Sequence, residues 1–150
     1  MRLTVRNRIH APIEQVWKAV TSPAFLAGLA EPLATLETAD GSELPPEVRA
    51  GDVLRLKVKV ARLPLPGTHT IRCAEVDPEA YRLRTEEGSA LIRSWRHEIR
   101  LRSLGKNTCE YSDRVDVRAG LLTAHVWGFA QLLYRYRQER LKILMLLARA

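Results

Sequence analysis

The chain has 150 residues, 46% of them hydrophobic, and a formal net charge of +7 at pH 7. That is the size of one ordinary domain, with enough apolar residues for a core, and no apolar run reaches the roughly 18 residues of a membrane span. The opening MRLTVRNRIH lacks the apolar block of a secretory signal, so a cytoplasmic location is expected, while the positive charge favours anionic partners without choosing among them.

Residues 2–10 alternate, with Leu3, Val5, Asn7 and Ile9 on one side and Thr4, Arg6, Arg8 and His10 on the other. This period of two predicts a strand. APIEQVWKAVTSP follows. Pro12 suits a first helical turn, Glu14 suits the positive helix start, and Ile13, Val16, Trp17 and Val20 make an apolar stripe. Ser22-Pro23 then starts a second short helix, PAFLAGLA. Residues 33–39 suit a short strand, and 40–51, DGSELPPEVRAG, read as a loop.

From Asp52 onward the pattern is one of strands. VLRLKVKVA sends Leu54, Leu56, Val58 and Val60 inward, and LPLPG, with Pro64, Pro66 and Gly67, reads as a turn. THTIRCAEV places His69, Ile71 and Cys73 on one row. Asp77-Pro78 turns the chain into AYRLRTEE, and Gly88 turns it into SWRHEIRLR, whose dry row is Trp95, His97, Ile99 and Leu101. LGKN is a turn, after which TCEYSDRVDV aligns Cys109, Tyr111, Asp113, Val115 and Val117 on one side. Short turns between consecutive strands imply an antiparallel meander.

After Gly120 the period becomes helical. Val126, Phe129, Ala130, Leu133, Leu141, Leu144 and Ala148 recur at helical steps, and Gln131, Arg135, Gln138 and Lys142 mark the wet side. With no proline, a helix of about 28 residues and ~42 Å is expected. The fold class is therefore α+β in one domain over 1–150, with two short helices after the first strand. A curved antiparallel sheet of about seven strands wraps around the long C-terminal helix. Cys73 and Cys109 lie in separate strands and read as buried reduced thiols. His10, His69, His97 and His125 show no metal-ligand spacing, so neither metal nor cofactor is expected.

This order resembles the START/SRPBCC superfamily, the Bet v 1-like or helix-grip proteins. RNRIHAPIEQVWKAVTSP, the pair WRHEIRL and NTCEYSDRVDV, and LLYRYRQERL carry the likeness, which spans nearly the whole chain. It is nearest to uncharacterised bacterial ligand-binding members and to polyketide cyclase/dehydrase-like members. The chain departs from them at Arg118-Ala119-Gly120, where relatives often carry a proline. The resemblance implies a hydrophobic cavity between sheet and helix that binds, or transports, a hydrophobic or amphipathic small molecule such as a lipid. It does not fix a function.

If the inward rows face such a cavity, the polar residues on them are informative, because a buried polar group needs a partner or a ligand. These are Asn7, His69, His97, Tyr111 and Asp113. With Ile71, Trp95, Phe129 and Leu133 they form the candidate ligand-binding set. His97 and Asp113 fall on inward rows of one hairpin, each eight residues from Gly105, and should meet within about one pair step. Three readings stay open: a buried structural bridge, a polar anchor for a ligand, and acid/base catalysis by His97 with Asp113 orienting it. Asn7 is a candidate to complete that cluster.

No nucleophile elbow or phosphate loop is present. Arg55, Lys57, Lys59, Arg82, Arg84, Arg96, Arg100 and Arg102 should share the convex face. Few aromatics interleave with them, which argues against nucleic acid as a partner but leaves an interaction module as an alternative. The apolar end, LKILMLLARA, is expected to be buried by the sheet or by a second copy of the chain in a homodimer.

Overall fold

A computed structural model describes residues 1–148. In chain order the elements are β1 (Arg2–Ile9), α1 (Ile13–Val20), α2 (Pro23–Ala30), β2 (Ala34–Thr38), β3 (Val53–Val60), β4 (Leu63–Pro64), β5 (His69–Asp77), β6 (Arg82–Gly88), β7 (Ser94–Gly105), β8 (Thr108–Arg118) and α3 (Thr123–Leu147). The sheet runs β1-β8-β7-β6-β5-β3-β2, antiparallel throughout, and the two-residue β4 pairs only with β3. The sheet curls as a half-barrel of seven main strands around α3, which is the expected helix-grip architecture. Among the described residues no helix is long and apolar enough to cross a membrane.

Local chemistry explains the joints. The Ser22 side chain accepts a hydrogen bond from the Phe25 N–H at 3.2 Å and so caps α2, with Pro23 opening the helix. Asp77 Oδ1 accepts from the Glu79 and Ala80 amides, an Asx turn that closes the β5–β6 hairpin. The turn after β3 falls earlier than LPLPG. Val60 pairs directly with Leu63, and Ala61 and Arg62 make a two-residue hairpin with φ of 49° and 71°. Neither residue is a glycine, so the usual sequence mark of such a turn is missing. In the irregular 40–51 segment, Val48 docks into the core and its amide bonds to the Thr21 carbonyl at 3.0 Å.

The long helix is shorter than expected, because Gly120–Leu122 forms a separate 3-10 turn before it. Gly120 holds a φ of 57° beside the Arg93 guanidinium, and this kink replaces the expected continuous start. The buried face of α3 is Ala130, Tyr134, Arg137, Gln138, Leu141 and Met145. Gln138, expected on the wet side, is completely buried, while Leu144, expected inside, is 39% exposed. In the apolar end, Leu141 and Met145 are buried but Ile143, Leu146 and Leu147 face solvent. Residues 149 and 150 of that stretch lie outside the described residues.

Two buried clusters make the interior. One gathers Ile9, Ile99, Tyr111 and Leu141 with α1, and the other gathers Val5, Trp95, Val115 and Tyr134. Along β7, β8 and α3 a polar residue sits between the two: His97, Asp113 and Gln138. A polar belt therefore crosses the apolar interior.

The convex face is not a bare basic surface. Glu75 bridges Arg82 at 2.6 Å and Arg84 at 3.2 Å; Glu98 bridges Arg84 at 2.8 Å and Arg100 at 3.4 Å; Glu110 lies 3.6 Å from Arg102. Arg72 pairs with Glu86. The carboxylates come from β5 to β8 and, apart from Glu98 with Arg100 along β7, meet the arginines across strands, where opposite charges favour each other. They offset much of the charge that the arginine count suggested.

Candidate functional site

Between the concave sheet face and α3 lies a cavity of about 370 Å³. Its wall is mostly aliphatic. Leu54, Leu56, Val58 and Val60 of β3 face it as their alternation requires, with α1 and α2 closing one side. Of the residues singled out in the sequence, His69, Ile71, Trp95, His97, Phe129 and Leu133 line this space.

The remaining three do not. Tyr111 and Asp113 are buried one layer behind the wall, at 2% and 0% exposure. Asn7 points away from the cluster and donates to Glu139 Oε1 at 3.3 Å, near solvent. Its row is correct, but β1 is the edge strand beside α3, and a side chain there reaches the helix flank. Gln138 takes the place expected of Asn7.

His97 and Asp113 meet diagonally. His97 pairs in register with Val115 and Asp113 with Ile99, one pair step apart. The His97 Nε2–H donates to Asp113 Oδ1 at 2.6 Å, which assigns the proton on that nitrogen because an ionised carboxylate only accepts. Asp113 Oδ1 also accepts from the Tyr111 hydroxyl at 3.0 Å, and Oδ2 accepts from Gln138 Nε2 at 2.9 Å. Gln138 Nε2 donates as well to the Val5 carbonyl at 2.9 Å, so it ties α3 to β1 and β8 at once. Burial pushes the Asp113 carboxyl up. The hydrogen bond and charge of His97, the charge of Arg137 and the Gln138 amide outweigh it and hold the pKa below the ordinary value. Burial and the Asp113 charge push the Tyr111 phenol well up, so it stays a neutral donor.

A second polar pair lies toward β5. Glu87 accepts from His69 Nε2 at 2.8 Å and from the Thr85 hydroxyl at 2.9 Å. Burial raises its pKa, yet His69, the charge of His97 and Thr85 bring it net below the usual value. Glu87 and Thr85 were readable as the inward row of β6 with Leu83, by the same alternation that exposed His97. The helix contributes Tyr134 and Arg137. The Tyr134 ring lies 4.8 Å from the His97 ring, and the Arg137 guanidinium carbon sits 5.1 Å from the Tyr134 ring centre. The signal for these was the run of three- and four-residue steps from Ala130 through Tyr134, Arg137 and Gln138 to Leu141 and Met145, obscured because Arg137 and Gln138 are polar.

The thiols are inert by environment. Burial and the Glu14 charge push Cys109 up to about 11, and burial raises Cys73. Among the described residues no three His, Cys, Asp or Glu side chains gather in a way that could hold a metal ion.

The family model described as "Domain of unknown function (DUF8410)" matches residues 7–144. The chain belongs to the DUF8410 family. No curated protein matches it in sequence. In structure, this DUF8410 member is similar to a protein from Thermus thermophilus, with 15% identity, a TM-score of 0.74 and 100% of each chain covered. It is similar to a START superfamily protein from Mycobacterium smegmatis, with 15% identity, a TM-score of 0.65 and 94% of each chain covered. It is also similar to a Thalictrum norcoclaurine synthase point mutant in complex with a transition-state analogue. There the identity is 15% and the TM-score 0.66, over 100% of this chain and 96% of the other. At such identities the likeness establishes the fold alone, the helix-grip fold that this chain shares with the START superfamily protein.

Proposed function

We propose that this DUF8410 domain binds, and in one form of the reading carries, a hydrophobic or amphipathic small molecule in the cavity between sheet and α3. The observation that carries this is the cavity itself: about 370 Å³, walled mostly by aliphatic side chains, with a few polar ones among them, including His69, Glu87, His97 and Arg137. Small-molecule sites run from about 300 to 1,000 Å³ and combine an apolar wall with a few placed polar groups. The helix-grip neighbours include a synthase holding a transition-state analogue, which supports small-molecule binding on this fold. Denaturing the purified protein in organic solvent and analysing the extract by mass spectrometry tests the reading. The expected result is a stoichiometric apolar or amphipathic species; an empty extract, together with no uptake of any offered apolar compound, refutes it.

One observation favours a second reading. His97 lines the cavity and is oriented by Asp113 from behind, an arrangement that suits acid/base chemistry on a bound ligand. On that reading His97→Gln abolishes conversion of the bound species while leaving its uptake intact. Unchanged conversion, or loss of folding alone, places His97 in the belt as a structural member.

A further inference from the structure

Arg137 is the charged residue of the cavity whose hydrogen bonds are not accounted for; the neutral indole Nε1 of Trp95 is the other unpartnered donor of the lining. It lines the space, is 9% exposed, and its Nε and Nη2 have no hydrogen-bond partner. A guanidinium stays protonated in a protein, and a buried cation without hydrogen-bond acceptors is unfavourable. The neighbouring carboxylates balance its charge from a distance but accept no hydrogen bond from its Nε or Nη2. Asp113 is engaged by His97, Tyr111 and Gln138, and Glu87 by His69 and Thr85. The Tyr134 ring lies under the guanidinium and attracts its charge, but gives Nε and Nη2 no hydrogen-bond acceptor.

Elsewhere in the chain the same two nitrogens show what they suit. Arg2 Nε and Nη2 hold the two oxygens of Asp116 at 2.8 and 3.2 Å. That side-on fork matches a carboxylate in spacing and plane.

We infer that the molecule in this cavity is an amphipathic acid, its apolar body against the β3 and α2 walls and its carboxylate on Arg137. The inference rests on the binding reading above and specifies the ligand's polar end. It makes Arg137 a specificity-determining residue: the apolar wall accepts many bodies, and the guanidinium selects the head.

The test compares dodecanoate, dodecanol and dodecylammonium, titrated into the full chain by calorimetry at neutral pH below their micelle concentrations. Dodecanoate is expected to bind at least about tenfold tighter than dodecanol, with dodecylammonium weakest, as a charge-assisted hydrogen-bonded pair implies. In Arg137→Met the gap closes while dodecanol affinity stays within about twofold of wild type. Arg137→Lys keeps the charge without the fork and is expected to fall between, which also guards against a folding defect in the Met variant. Dodecanol or dodecylammonium binding as tightly as dodecanoate in the wild type overturns the inference while leaving the cavity reading intact. So does a gap that survives Arg137→Met. If none of the three binds, the inference falls, and the cavity reading falls with it only where the solvent extract is also empty.

Discussion

Gln138 is the residue on which the interior turns. One amide nitrogen serves two buried acceptors, the Asp113 carboxylate and the Val5 carbonyl. Replacing it with leucine keeps approximate volume and removes the donor from both. An acceptor left short in a dry site costs about 1–3 kcal/mol, more when it is charged. Gln138→Leu is therefore expected to lose about 2–4 kcal/mol in urea unfolding. Leu144→Gln, on the exposed side of the same helix, should change stability by less than about 0.5 kcal/mol. Equal effects at the two positions would contradict the placement of Gln138. Position 138 also marks where the sequence was opaque. Period-three-and-four reasoning sorts residues by polarity, so a glutamine inside a helix is assigned outward. Only the unmet need of Asp113, already visible as a carboxylate on a dry row, pointed to a buried partner, and the row of β1 directed that need to Asn7. His97 and Asp113 were legible because strand alternation is strict: a polar side chain on an apolar row has nowhere else to go.

The elements follow the same division. Strand faces were readable throughout, from Leu54–Val60 on β3 to Cys109–Val117 on β8, since period two leaves one choice per residue. The β3–β4 turn was not. Ala61 and Arg62 adopt positive φ without glycine or asparagine, so no residue type announces them and the prolines of LPLPG drew the turn too far along. A side chain in the left-handed region costs about 1–2 kcal/mol relative to its preferred conformation. Pairing of Val60 with Leu63 and of Lys59 with Pro64 holds the hairpin against that strain. Ala61→Asn with Arg62→Gly supplies the residues this turn type prefers. The double variant is expected to raise stability by about 1 kcal/mol, measured as the shift in the denaturant midpoint at constant slope. A loss of stability would mean that the side chains at 61 and 62 make contacts outweighing their backbone strain.

At the scale of the whole molecule, charge is sorted by side. The convex face pairs its arginines with Glu75, Glu98 and Glu110, in pairs that solvent screens and that contribute little individually. The concave side keeps two carboxylates, Asp113 and Glu87, away from water and below their ordinary pKa despite burial. The consequence for acid stability has a definite sign. A carboxyl whose folded pKa is depressed contributes stability that is present above its unfolded value and lost as pH falls through the folded one. Unfolded Asp and Glu titrate near 3.9 and 4.3, so the melting temperature is expected to hold from about pH 7 to 5 and to drop steeply below about pH 4. High salt should shift this drop little, because the two groups responsible are shielded from counter-ions by the protein around them. Asp113→Asn separates their shares. It removes the buried charge on which His97, Gln138 and Tyr111 converge, so it should cost about 3–5 kcal/mol at neutral pH. It should also flatten the acid limb, since one of the two buried titrating groups is gone. Thermal melts of wild type and variant from neutral to acid pH decide the matter. A variant that melts lower at pH 7 but loses stability below pH 4 as steeply as the wild type would move the acid lability off Asp113 and onto Glu87 and the convex ladder.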